Sequence, residues 1–81
     1  MNKAQVLEAL TQVFRDVFDD DDIVLTAATT AQDIEGWDSQ AHVSLIVAAE
    51  MKFGIRFRTA ELESLHDVGQ FAGLIASKLE G

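Results

Sequence analysis

The chain has 81 residues, is 48% hydrophobic, and carries a formal net charge of −8 with neither cysteine nor proline. Its length suits one domain (residues 1–81) with a modest core and little room for a deep pocket. The missing cysteine excludes disulfide staples and thiolate metal sites, and the acidic balance argues against nucleic acid, whose backbone must be met by lysine and arginine.

The first helix is predicted from Lys3 to about Val17. Asn2 with Gln5 makes a capping box, and Val6, Leu10, Val13 and Val17, joined by Leu7, Phe14 and Phe18, recur at helical steps to form one buried face. Asp19 to Asp22 breaks that pattern. The stretch from Phe18 to Asp38 has no helical period. Loops of this length are usually functional or disordered, but Ile23, Leu25, Ile34 and Trp37 are spaced to pin it onto a bundle, which predicts an ordered loop.

A second helix should begin at Asp38 or Ser39 and end near Phe53, with Gly54 as the stop signal. At about 3.6 residues per turn it carries two apolar stripes. One is Leu45, Ala49 and Phe53. The other is Val43, Val47 and Met51, about 200° around the axis. Either the helix is central and buries both, or one stripe is left for a partner; Met51 suits an adaptable contact surface.

Beyond Gly54, Ile55 to Arg58 alternates like a strand but is too short and isolated to make a sheet, so an extended link with Ile55 and Phe57 pointing inward is expected. Thr59 can cap a short helix reaching Ser64. Asp67 with Gln70 makes another capping box, opening a last helix whose inner face is Val68, Phe71, Ala72, Ile75 and Leu79. The predicted fold is all-α: a small four-helix bundle of three main helices and one short one, with a long loop between the first two.

The longest apolar run, Leu45 to Ala49, is far too short to span a bilayer, and the N-terminus lacks the basic-then-apolar layout of a signal peptide. A soluble, cytoplasmic protein with no membrane partner is expected. The short ends, Met1-Asn2 and Glu80-Gly81, favour a discrete protein. Nine acids and no lysine or arginine lie between Asp16 and Glu50, with all six bases outside that stretch. Such a field steers basic protein surfaces toward its neighbourhood, or simply solubilises a loop. The Asp19–Asp22 run lacks the alternating ligands, central glycine and terminal glutamate of a calcium loop, so no specific metal site is read from it. His66 is adequately explained as a cap or a solvated turn.

Gly36-Trp37-Asp38-Ser39 falls where this acidic loop meets the second helix. A serine there has an exposed hydroxyl with no clear activating partner, as suits an attachment point for a group added by another enzyme. The helix start favours an anion, because its unpaired N–H groups and dipole stabilise a phosphate linked to that oxygen. Together with Val43, Leu45-Ile46, Glu50, Phe53-Gly54-Ile55 and Phe57, the motif resembles an acyl carrier protein, and the match covers nearly the whole chain.

The resemblance implies that Ser39 receives phosphopantetheine from coenzyme A through a phosphopantetheinyl transferase. The arm's thiol would then carry acyl groups as thioesters and present them to partner enzymes, the protein itself doing no chemistry. Asp38 would cap the helix and offer a carboxylate to the transferase, Gly36 would allow a tight turn, and Trp37 would anchor the loop, or serve as a partner contact. Partner enzymes with basic or apolar docking surfaces would meet Asp38, Gln40, Val43, Val47, Glu50 and Met51 on a monomeric carrier. Gln40 departs from the family's usual leucine or methionine, which bears on the choice of transferase. Beyond Asp38 the second helix has only Glu50 as an acid, with Ser44 and Met51 at commonly acidic positions, which implies a specialised lipid, polyketide or related pathway rather than housekeeping fatty acid synthesis.

Three other readings stay open. Ser39 and His42, three residues apart on one helix face with Asp38 or Asp33 to orient the histidine, have the residue types of a hydrolase, but no oxyanion hole or shaped pocket accompanies them. An unmodified interaction module would dock through Val43, Val47 and Met51 without an arm. A peptidyl-type carrier would hold amino acid thioesters instead.

Overall fold

A computed structural model describes residues 2–63 and 65–80. The first helix, α1 (Lys3–Phe18), opens on the capping box: Gln5 N–H donates to Asn2 Oδ1 and Asn2 N–H to Gln5 Oε1, both at 2.9 Å. It closes on Asp19 in the left-handed conformation (φ 51°), whose N–H donates to the Arg15 carbonyl. Aspartate is among the few non-glycine residues that visit this region readily. Val6, Leu10, Val13 and Phe14 are buried, with Leu7, Val17 and Phe18 packed beside them.

The long loop is ordered and pinned at several points. Ile23 and Leu25 are buried, while Ile34 and Trp37 lie half-buried against the core. Arg15 Nε donates to the Ile23 carbonyl at 2.9 Å. A single 3-10 turn at Ala31–Asp33 interrupts the loop, where Thr30 N–H donates to Asp33 Oδ2.

The second helix, α2 (Ser39–Phe53), ends at Gly54, whose φ of 66° is the left-handed stop that glycine supplies without a Cβ penalty. Its two stripes part company. Leu45, Ile46 and Ala49 are buried with Phe53 packed beside them, whereas Val43, Val47 and Met51 are 62%, 48% and 80% exposed. Ile55 and Phe57 then turn inward along an irregular link and pack against the core.

The short third helix, α3 (Thr59–Glu63), corrects one expectation. Thr59 is its first helical residue rather than its cap. The preceding Arg58 opens it, donating its N–H to Glu61 Oε1 at 2.8 Å. Ser64, the expected far end, lies outside the described residues.

The last helix, α4 (Val68–Glu80), begins as expected, with Gln70 N–H donating to Asp67 Oδ1 at 2.8 Å. The return bond differs: Gln70 Oε1 accepts from His66 N–H at 2.7 Å, one residue further back than in a capping box. Val68, Phe71, Ala72 and Ile75 face the core, with Leu79 packed at its edge. The free N–H groups of this first turn hold the long loop: Val68 donates to Thr29 and Gly69 to Ala27, at 2.8 and 2.9 Å. α1 packs against both α2 and α4. The described residues therefore form an all-helical four-helix fold without strands. No helix among them is long and apolar enough to cross a membrane.

Candidate functional site

Ser39 is exposed and is the first residue of α2. Asp38 caps the helix in an extended conformation, accepting the Ala41 N–H on Oδ1 at 2.8 Å, while its carbonyl accepts the His42 N–H at 2.9 Å. These bonds satisfy two of the donors that every helix start leaves over. The N–H groups of Ser39 and Gln40 hold no partner among the described residues. An exposed hydroxyl with two unpaired N–H donors at its base, at the positive end of a 15-residue helix, can receive a phosphate-linked group.

The turn feeding the site depends on Gly36, whose φ of 88° lies in the region where a Cβ is strained. Trp37 follows, half-buried as an anchor. Its ring stands edge-on to Phe14 at 5.1 Å and lies 6.3 Å from Phe18. Its indole N–H donates to His42 Nδ1 at 3.2 Å, with the two rings stacked 6.1 Å apart and 18° from parallel. Trp37 precedes the capping residue and His42 is the fourth residue of the helix. Those are the positions of a hydrophobic staple, the local signal from which this pairing could have been read. Trp37 and His42, with Leu65 and Phe71, line a cleft of about 100 Å³ next to the helix start.

This geometry leaves the hydrolase reading without its third member. The nitrogen that an acid would orient is taken by an indole. The Asp38 carboxylate caps Ala41, and the Asp33 carboxylate accepts from Thr30. Exposed acids at Asp19 to Asp22, Asp33, Glu35 and Asp38 give the loop side of the site its negative surface. Among the described residues, no group of three His, Asp or Glu side chains is arranged to hold a metal ion.

The residues assigned to partners divide. Gln40, Val43, Val47 and Met51 lie exposed along α2, next to the exposed Ser39 and Asp38. Glu50 turns inward instead. Its side chain is 17% exposed, Oε2 accepts the Phe57 N–H at 2.9 Å, and Oε1 lies 4.0 Å from Arg56. The exposed face of α2 beyond Asp38 is therefore apolar and amide-bearing rather than acidic.

The fold is thus a small helical bundle with an exposed serine at the mouth of its second helix. No protein-family model matches the chain, and no curated protein sequence matches it. Among solved structures, the solution NMR structure of a holo acyl carrier protein from Geobacter metallireducens is 51% identical over 93% of this chain and 86% of that one, with a TM-score of 0.89. The chain belongs to the acyl carrier protein family and is a carrier, not an enzyme.

Proposed function

We propose that this protein, acting as one domain, carries acyl intermediates on a phosphopantetheine arm attached to Ser39. The observation that carries the reading is the exposed Ser39 hydroxyl at the start of α2, beside the unpaired N–H groups of Ser39 and Gln40. The fit is chemical: the hydroxyl provides the ester oxygen, and the two N–H groups with the helix dipole favour the phosphodiester's negative charge. In the transfer from coenzyme A, Ser39 Oγ bonds to phosphorus and adenosine bisphosphate leaves. The hydroxyl proton passes to a base on the transferase. The attached arm supplies a thiol on which acyl groups ride as thioesters.

The partners follow from the surfaces. The exposed acids of the loop suit a basic transferase surface, and Val43, Val47 and Met51 suit an apolar docking surface on enzymes that load or process the cargo. Because Glu50 is engaged internally, α2 offers partners no acid beyond Asp38. This supports a specialised lipid, polyketide or related pathway for a monomeric cytoplasmic carrier.

The test is intact mass after incubation with coenzyme A, magnesium and a broad-specificity transferase, with Ser39→Ala alongside. A gain of one phosphopantetheine on the wild type alone is expected. No gain with several transferases would favour an unmodified docking module.

A further inference from the structure

We infer that His42 is a positioning residue for the arm: its Nε2–H donates to the phosphodiester at Ser39, in an orientation fixed by Trp37. The inference rests on the assignment of Ser39 as the attachment point and adds a residue to that site.

A tryptophan N–H can only donate, so His42 Nδ1, 3.2 Å from Trp37 Nε1, must accept. A neutral imidazole has one proton, which then sits on Nε2. The stacked rings, 18° from parallel, hold the imidazole plane, and Trp37 is itself braced by Phe14 and Phe18. The histidine thus has a defined tautomer and a defined plane before any ligand arrives. Such orientation of an imidazole by the partner of its other nitrogen is how histidines are set for a task.

His42 lies three residues after Ser39, so the two side chains are neighbours on one helix face. Helical side chains lean toward the N-terminus, which carries the His42 ring over the turn that begins with Ser39. Nδ1 is turned to Trp37, so Nε2 lies on the ring's opposite edge, and no partner for it exists among the described residues. His42 is half-buried, with one nitrogen committed to Trp37 and the Nε2–H open to solvent as a free donor. A phosphodiester on Ser39 Oγ would bring acceptor oxygens to this donor. Asp38 and Asp33 each already engage one carboxylate oxygen, with Ala41 and Thr30. Held this way, the arm leaves Ser39 alongside the Trp37–His42 cleft.

The experiment compares the apo and holo forms of the protein labelled with ¹⁵N at histidine, conversion being verified by mass. Long-range proton–nitrogen spectra should show the Nε2–H tautomer in both forms. The Nε2 and Hε2 signals of His42 should shift on modification. In the holo form, His42→Leu should move the ³¹P signal of the phosphodiester toward that of free phosphopantetheine, and His42→Gln, which keeps a donor, should restore part of the difference. His42 signals identical in apo and holo protein, or a ³¹P signal indifferent to His42→Leu, would overturn the inference while leaving Ser39 as the attachment point. Failure of the wild type to gain the arm would instead overturn the assignment of Ser39, and this inference with it.

Discussion

Glu50 reaches out of α2 to accept the Phe57 N–H at 2.9 Å, so the one acid in the helix body ties α2 to the link leading into α3. A hydrogen bond to an ionised acceptor is worth about 1.5–3 kcal/mol. Glu50→Ala should therefore lower stability by about 1–3 kcal/mol, because the Phe57 N–H loses its acceptor in a half-buried setting. Chemical denaturation would check this. A loss below the error of the measurement would return Glu50 to the surface and to a docking role.

Met51→Glu should behave in the opposite way. Met51 is 80% exposed and lies outside the buried core. Its replacement should stay within about 0.5 kcal/mol of the wild type, as surface changes usually do. A larger loss of stability would place Met51 in the packing rather than on a docking face.

At Gly69, a Cβ would stand 2.8 Å from the Ala27 carbonyl oxygen, on the backbone that Gly69 N–H itself binds. Neither atom is the end of a flexible side chain, so the loop or α4 must shift. Gly69→Ala should cost about 1–3 kcal/mol, the usual range for overpacking. Thermal or chemical melts would measure it, and a neutral result would show that the loop yields freely.

Lys78 Nζ lies 2.8 Å from Glu61 Oε1, joining α4 to α3. That hydrogen bond, helped by the Arg58 N–H, holds the Glu61 carboxyl below its ordinary value of 4.5. Folded Glu61 thus binds its proton more weakly than the unfolded chain does. Its ionisation adds stability that is fully present above the ordinary value and lost as pH falls through the lowered one. Wild type should exceed Glu61→Gln in stability at neutral pH, and the gap should close in that acid window. A gap constant across the window would assign the effect to packing.

Gln40→Leu should speed modification by a broad-specificity transferase, since Gln40 is exposed immediately after Ser39 where the family usually has an apolar side chain. Initial rates by mass would show it. An unchanged or slower rate would mean that Gln40 is not the limiting contact.

Local rules made the helices legible. The Asn2–Gln5 box, the Gly54 stop and the core-facing stripe of each long helix depend only on neighbours along the chain. What escaped needed tertiary information or a shift of one residue. The choice between the two α2 stripes depends on α1 packing against only one of them. The inward turn of Glu50 depends on where Phe57 returns, and the Arg58 and His66 bonds sit one residue from the predicted caps. At the site, the serine's position was readable. The indole–imidazole bond was signalled only by the staple positions of Trp37 and His42, and was not anticipated because it joins a loop residue to a helix residue.

Trp37 is the chain's only tryptophan, and there is no tyrosine. Its emission is therefore a probe placed two residues from Ser39 and in contact with the His42 imidazole. Loading by a transferase, or anything that displaces His42, changes the surroundings of that one ring. If Ser39 takes the arm, this carrier brings its own optical reporter for that event, with no added dye.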